Sequence, residues 1–300
     1  MSNAATGLTP VIEGSASGDP TIAISFGGGG ARGYAHIHVI EVMDELGIRP
    51  VAISGASIGA IMGSAMASGM RGEDIRDYTL DIMSNRGALL SKFWGARPSG
   101  LADMMNGGMR LGQFNIERIL KSFLPEEIPD TFEALNIPLA IVATDFYGHK
   151  ETYFEYGELR SAIAASAALP GIFKPIKRDD VFYIDGGIYN PIPYEHLVGK
   201  ADIIIGVDVI GAPEGDRSKA PKAIDSLYGT SQLMMQSLIQ MKLQLSAPDI
   251  FVTPPVSEFR VMDFLKAKRI LEATASVRDD LKYRLDGAIT AFEADRCAGG

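Results

Sequence analysis

The sequence contains very little cysteine: Cys297 is the single one in 300 residues. No disulfide can form within the chain, so the fold does not require an oxidising compartment. Positive charge is also scarce, since 28 Lys and Arg face 37 Asp and Glu and give a formal net charge of −9. Nucleic acid and anionic membranes attract clustered basic side chains, so this balance argues against nucleic acid as a partner and against purely electrostatic membrane binding.

The sequence also lacks the pattern of a signal peptide and of a membrane span. Residues 1–19 are small and polar, without a basic start or an apolar run, and we expect them to form a flexible leader. The uncharged stretch Val51–Met70 is long enough for a span, but its Gly, Ala and Ser content fits a buried strand, a turn and a helix better. These features predict a cytoplasmic protein and leave room for peripheral contact with a membrane.

Apolar residues make up 46% of the chain and charged residues 22%, which is the balance of a globular protein with a sizeable core. Its first half predicts a strand at Thr21–Phe26, a helix at His36–Leu46, a strand at Val51–Ser54 and a helix at Ala56–Met66. This alternation indicates the α/β class, with a central, mostly parallel sheet between helices. We expect residues 20–300 to form a single domain.

Further elements follow from apolar runs and helical stripes later in the chain. Strands are predicted at Ile137–Thr144, Glu151–Glu155, Val181–Ile184, Ala201–Val209 and Ile250–Thr253, and helices at Leu159–Ala168 and Met262–Ala294, the last as one helix or two.

A GxSxG pattern, formed by Gly55, Ser57 and Gly59, lies between a predicted strand and a predicted helix. This is the context of a nucleophile elbow, a tight turn in which a larger side chain at either flank would clash with the backbone. The serine then stands at a helix N-terminus, where the helix dipole stabilises negative charge. The pattern alone is also compatible with a simple Gly/Ser turn.

A run of glycines, Gly27–Gly30, lies between the first strand and the first helix and is followed by Arg32 and Gly33. Consecutive glycine amides can point at one anion, either a phosphate or an oxyanion. Gly28, Gly30 and Gly33 also fit the GxGxxG pattern of dinucleotide-binding proteins, which need an acidic residue at the end of the second strand. That strand runs directly into the GxSxG pattern instead, which disfavours an oxidoreductase and places the glycines beside a nucleophile.

A third glycine motif, Asp185–Gly187, follows an apolar strand and offers a carboxylate at the strand end. By itself such an aspartate is also typical of an ordinary turn. A serine hydrolase usually uses a histidine as its base, but none of the four histidines stands late in the chain after the acid. These histidines are His36, His38, His149 and His196.

Together these motifs resemble the patatin-like phospholipase family, and its bacterial branch in particular. The resemblance extends over about Thr21–Val209 and is carried by GGGGARGYAHIHVI, GASIG, ATDF at 143–146, ASAALPGIFKP at 165–175 and DGGIYNPIP at 185–193. It implies a modified α/β-hydrolase fold and the hydrolysis of fatty-acyl esters of phospholipids or lysophospholipids through an acyl-enzyme.

The resemblance also implies a site that works without histidine, metal or cofactor. Ser57 would be the nucleophile, Asp185 its base, and the amides of Gly28, Gly29 and Gly30 the oxyanion hole. Supporting roles would fall to Arg32, Gly33, Gly55, Gly59, Gly186 and Gly187. The partner would be a lipid or lipid-like ester, while the oligomeric state stays open, as does a lipid-binding protein without catalysis.

Residues 85–115 have few clear periods and are predicted to form an insertion or lid. Phe93, Trp94, Met104, Met105 and Met109 in this stretch, and Met234, Met235 and Met241 on a later helix, suit contacts with flexible acyl chains. Ordinary core packing is the alternative for both groups.

Overall fold

One mixed sheet organises the chain. A computed structural model describes residues 18–84, 114–215, 218–221 and 223–299. The strands of the described chain are β1 (Ile22–Phe26), β2 (Ala52–Ala56), β3 (Leu139–Asp145), β4 (Lys150–Phe154), β5 (Ile176–Arg178), β6 (Val181–Ile184), β7 (Ile203–Val207) and β8 (Ile250–Val252). They are ordered β5–β6–β3–β2–β1–β7–β8, and β4 pairs with β3 in addition.

The helices of the described chain follow the strands and cover the sheet. They are α1 (His36–Leu46), α2 (Ile58–Ala67), α3 (Gly72–Ser84), α4 (Ile116–Phe123), α5 (Leu159–Ser166), α6 (Ala223–Leu245), α7 (Ala267–Ala273) and α8 (Val277–Gly299). Short 3₁₀ helices lie at Gly30–Ala35, Phe132–Ala134, Gly186–Ile188, Tyr194–Leu197 and Phe264–Lys266.

The five neighbouring strands β3, β2, β1, β7 and β8 are parallel, whereas β4, β5 and β6 join by antiparallel pairing. Every residue of β1 and β2 is buried, as expected for parallel strands with both faces covered. The predicted class, an α/β fold with a mostly parallel sheet between helices, is confirmed.

Side chains of β1 alternate between two apolar layers. Ile22, Ile24 and Phe26 pack into the larger cluster, which includes α1 and α2. Ala23 faces the opposite layer, which contains the 3₁₀ helix Tyr194–Leu197 and part of α6. Because a strand has a period of two residues, this single strand joins both halves of the core.

The strand register brings the glycine loop, defined as Gly27–Gly30, beside the GxSxG turn. Phe26 pairs with Gly55 in the parallel ladder of β1 and β2, so both strands end at the same level. The residues that follow each strand therefore emerge side by side at one edge of the sheet. The stretch Val51–Met70 accordingly folds as a strand, a turn and a helix.

The stretch Met262–Ala294, predicted as one helix or two, contains two helices, α7 and α8, which residues 274–276 separate. Helices α3 and α4 and strand β5 lie where the sequence analysis predicts no regular element. Within the described ranges, no helix combines the length and the hydrophobicity that crossing a membrane requires.

The core predicts a clear contrast between two leucines. Leu159 at the start of α5 has no exposed surface, whereas Leu233 on α6 is 60% exposed. We expect Leu159→Ala to lower the free energy of unfolding by about 2–5 kcal/mol, because it leaves a cavity in a packed interior. Urea denaturation measures this change.

Leu233→Ala is the matched control, because it removes the same atoms from a solvated position. Its effect should stay within about 0.5 kcal/mol. Equal losses in the two variants would contradict the assignment of the core.

Candidate active site

Ser57 stands at the sharp turn between β2 and α2. Its backbone has φ 54° and ψ −121°, a strained conformation for a residue with a side chain. The turn is tight enough that a Cβ on Gly59 would lie 2.0 Å from the carbonyl oxygen of Phe26. Gly55 is also in close contact, since a Cβ on it would lie 2.6 Å from the Gly59 oxygen. Both flanking glycines are therefore sterically required.

The Ser57 hydroxyl contacts one carboxylate. Its Oγ donates a hydrogen bond of 2.5 Å to Oδ2 of Asp185, and both residues are buried. Oδ1 of Asp185 accepts a second bond of 2.8 Å from the amide of Gly187. Gly186 lies against β3, where a Cβ would come within 2.1 Å of the Val142 oxygen. The third glycine motif thus places the carboxylate on the serine, although the two residues are 128 positions apart.

Two hydroxyl groups that the sequence analysis did not single out support this pair. Ser166, at the end of α5, accepts a 2.8 Å bond at Oγ from the amide of Ser57. Thr144, at the end of β3, donates a 2.9 Å bond from Oγ1 to the carbonyl of Asp185. Both lie in segments that carry the family resemblance, and that resemblance was the one available signal for them.

Burial changes the acidity of Asp185. Loss of solvent raises the pKa of its carboxyl from 3.8 to about 6, although the hydrogen bonds from Ser57 and Gly187 lower it in part. Within the described chain, no basic side chain forms an ion pair with this carboxylate. The group is therefore a stronger base than an exposed aspartate and is still ionised at neutral pH.

The glycine loop lies over Ser57, and its amides have different partners. The amide of Gly28 donates to the carbonyl of Pro191 at 2.9 Å, and a Cβ on Gly28 would come within 3.4 Å of the Ser57 Cβ. No acceptor for the amides of Gly29 and Gly30 lies among the described residues, and both glycines line the cavity beside Ser57. Two of the three predicted donors are thus available in this conformation.

Arg32 is buried behind the glycine loop. Its Nε donates to the carbonyl of Phe259 at 2.7 Å, and its Nη1 donates to the carbonyl of Ile210. Burial lowers the pKa of the guanidinium to about 10, while the charges of Asp263 and Asp208 oppose this shift. These bonds join the loop to two other segments. Gly33, one residue on, packs against Ile58 so closely that a Cβ would lie 2.4 Å from its side chain.

A cavity of about 270 Å³ opens from Ser57 and Asp185 into the protein. Its wall near the pair is polar, with the glycine loop and Gly187. Farther from the pair the wall is apolar and is formed mainly by α2, α3, α4 and the segment 169–173. The apolar side chains on and beside these elements include Ile61, Met62, Ala65, Ile75, Ile82, Met83, Ile116, Ile119, Leu120, Phe123, Leu124, Ile128, Leu169, Ile172 and Phe173. An apolar chain attached to a carbonyl group matches this arrangement.

A family model described as patatin-like phospholipase matches residues 24–198, which is more than half of the chain. The chain belongs to the patatin-like phospholipase family. Its sheet is the mixed central sheet of that fold, and the matched range holds Ser57, Asp185 and the whole glycine loop. Family membership removes the dinucleotide-binding alternative.

Two curated proteins and one solved structure are similar to parts of this chain. An uncharacterized NTE family protein of Mycobacterium tuberculosis is 35% identical over 200 residues, which cover 66% of this chain and 52% of the relative. Lysophospholipase nte1 of Aspergillus fumigatus is 28% identical over 192 residues, 63% of this chain and 12% of that protein. The crystal structure of VipD from Legionella pneumophila has a TM-score of 0.43 at 16% identity and covers 87% of this chain and 67% of that chain. The chain spans about half the length of the Mycobacterium relatives.

Three of the four histidines have partners away from the Ser57 hydroxyl. His36 contacts the carbonyl of Gly27 at 2.9 Å, and His38 contacts that of Leu271 at 2.9 Å. His196 pairs with Glu151 on β4. In this patatin-like site the group that contacts the serine hydroxyl is therefore the carboxylate.

The predicted lid, residues 85–115, lies outside the described residues except for Phe114 and Asn115, and its five candidate side chains lie outside them as well. The methionines of α6 divide into two groups. Met235 is buried and lines the cavity, whereas Met234 and Met241 are 65% and 57% exposed. Contact with the cavity thus applies to one of the three.

The raised pKa of Asp185 predicts a dependence of stability on pH. The unfolded chain ionises this carboxyl near 3.8 and the folded chain near 6, so ionisation opposes folding. The resulting decrease in the free energy of unfolding is absent below about pH 4 and complete above about pH 7, where it is on the order of 3 kcal/mol. Relative to Asp185→Asn, the wild type should therefore lose free energy of unfolding as the pH rises through this window, as measured by urea denaturation.

Ser57→Ala provides the control, since it removes a hydrogen bond that favours the ionised carboxylate. Its loss of stability should begin at the same pH as in the wild type and extend to a higher pH. A difference between wild type and Asp185→Asn that stays constant from pH 4 to pH 8 would contradict the assigned acidity.

Proposed function

We propose that the chain is a serine acyl hydrolase that cleaves fatty-acyl esters of phospholipids or lysophospholipids, with Ser57 as nucleophile and Asp185 as its base. The observation that carries the proposal is the 2.5 Å hydrogen bond from the Ser57 hydroxyl to a buried carboxylate. The apolar cavity that begins at this pair supports a fatty-acyl substrate. The name of the fungal relative, a lysophospholipase, points to the same class of ester.

The first half of the reaction transfers the acyl group to the serine. Oγ of Ser57 attacks the ester carbonyl while its proton passes to Asp185. The carbonyl oxygen becomes an oxyanion, which the amides of Gly29 and Gly30 stabilise by hydrogen bonds; the amide of Gly28 would have to leave Pro191 to contribute. The bond between the carbonyl carbon and the alcohol oxygen then breaks, and the alcohol leaves with the proton from Asp185.

The second half releases the fatty acid. A water molecule attacks the acyl carbonyl, Asp185 takes its proton, and the same amides stabilise the second oxyanion. The bond to Oγ breaks, Ser57 regains a proton from Asp185, and the acid leaves. A base of pKa about 6 suits both halves, because it is ionised at neutral pH and binds a proton better than an exposed aspartate does.

Covalent labelling tests the nucleophile. Wild type treated with a fluorophosphonate should gain the mass of one adduct, and Ser57→Ala should gain none. The rate of labelling of Asp185→Asn should be at least about 10²-fold lower than that of the wild type, since the hydroxyl loses its proton acceptor. Intact-mass spectrometry against time measures all three.

Ser64→Ala is the matched control, because Ser64 is a nearby serine on α2 that is fully buried and whose hydroxyl bonds to the carbonyl of Ala60. It should react like the wild type. A folded wild type that gains no adduct, with or without detergent, would reject the proposal in favour of a lipid-binding protein without catalysis.

The pH profile tests the base. We expect kcat/KM for a fatty-acyl ester to rise with pH through an apparent pKa of about 6, because Asp185 must be ionised to accept the proton. The measurement is the initial rate of ester hydrolysis from pH 4 to pH 9. An apparent pKa equal to that of an exposed aspartate, or a rate that does not fall at acid pH, would contradict the role of a buried base.

A further inference from the structure

His36 is a buried ring that touches the glycine loop. It is the first residue of α1 and has no exposed surface, and its ring reaches back along the chain. Nε2 lies 2.9 Å from the carbonyl oxygen of Gly27, and the ring contacts the edge of Phe26 at a centroid distance of 5.0 Å. The ring therefore bonds to the first residue of the glycine loop.

The contact with Gly27 fixes the protonation of the ring. A carbonyl oxygen only accepts hydrogen bonds, so Nε2 must carry the proton and donate. Burial lowers the pKa of His36 to about 4, which keeps the ring neutral at physiological pH. Nδ1 has no partner among the described residues. Burial of an unpaired polar nitrogen lowers the stability of the folded state by about 1–3 kcal/mol.

The bond from His36 completes a set of three at the start of the loop. The amide of Gly27 donates to the carbonyl of Val207 at 3.0 Å, and the amide of Gly28 donates to that of Pro191 at 2.9 Å. With the carbonyl of Gly27 bonded to His36, both polar groups of the planar peptide between Gly27 and Gly28 are fixed. Four consecutive glycines have little conformational preference of their own, so their orientation depends on such external contacts.

We propose that His36 is a positioning residue, which holds the glycine loop so that the amides of Gly29 and Gly30 point at the oxyanion. The inference rests on the proposed function, and it gives the histidine a role other than that of a base. Because the oxyanion exists only in the transition state and the intermediates, loss of this contact should lower kcat while KM stays unchanged.

His38 is a matched control on the same helix. It is also buried, and its Nε2 contacts the carbonyl of Leu271 at 2.9 Å. It therefore joins α1 to α7 by the same kind of bond and makes no contact with the glycine loop. Replacement of His38 therefore shows the effect of losing a buried histidine that does not contact the glycine loop.

The test compares His36→Leu, which has no donor, with His36→Gln, whose amide nitrogen has the reach of Nε2. Hydrolysis of p-nitrophenyl butyrate should show kcat lowered about 10²-fold in His36→Leu, with most of it restored in His36→Gln. His38→Leu should lower stability and leave kcat unchanged. The acid limb of the pH profile should be the same in His36→Gln as in wild type. Should His36→Leu not fold, His36→Asn, whose amide is too short to reach Gly27, replaces it.

Amide hydrogen exchange across residues 27–31 gives a readout that needs no activity. Exchange in the loop should be faster in His36→Leu than in wild type, and close to wild type in His36→Gln and His38→Leu. Unchanged exchange in His36→Leu, an unchanged kcat, or loss of the acid limb in His36→Gln would each overturn the inference. A wild type without hydrolysis whose loop still responds in exchange would reject the proposed function while the positioning by His36 stands.

Discussion

The site depends on a buried carboxylate that has no ion-pair partner among the described residues. Asp185 is held by the hydroxyl of Ser57 and the amide of Gly187, and neither bond brings a positive charge. Burial of a charge in an apolar protein is unfavourable, so this carboxylate binds a proton more readily than one in water. In the proposed reaction, this aspartate can therefore act as a base for the serine hydroxyl. Two neighbouring hydroxyl groups hold the backbone of this pair in place. Thr144 bonds to the carbonyl of Asp185, and Ser166 bonds to the amide of Ser57.

The parallel sheet brings the parts of the site together. β1 and β2 end at the same level, so the glycine loop and the turn at Ser57 leave the sheet side by side. The contact is close enough that Gly59 lies against the backbone of Phe26, and the strained φ of Ser57 follows from this tight turn. Such strain persists only where the surrounding structure determines it strongly. The buried strands on both sides of the turn provide that surrounding structure.

Much of this arrangement was predictable from the sequence. Strands β1, β2 and β6, the turn at Ser57 and the carboxylate at the end of β6 follow from apolar runs that end in glycine motifs. The bond partner of the Ser57 amide was not predictable from the residues, because Ser166 is 109 positions away and an isolated serine carries no signal of its own. Helix α3 was missed because its pattern is mostly polar, although Ile75 lines the cavity. The hydrogen bond from the Gly28 amide to Pro191 was not predictable for the same reason, because its acceptor lies in a distant loop.

The apolar cavity begins at the same pair whose carboxyl has a raised pKa. Burial of Asp185 raises the pKa of its carboxyl, and the cavity that opens from Ser57 and Asp185 is lined mainly by apolar side chains. An acyl chain in the cavity would displace further water from the pair and strengthen the proton affinity of Asp185 when the ester is in place. Hydrogen bonds to the oxyanion would be strengthened for the same reason, because they act in a medium of low polarity. In the proposed reaction, binding of an apolar substrate and activation of the serine are therefore coupled through solvent exclusion.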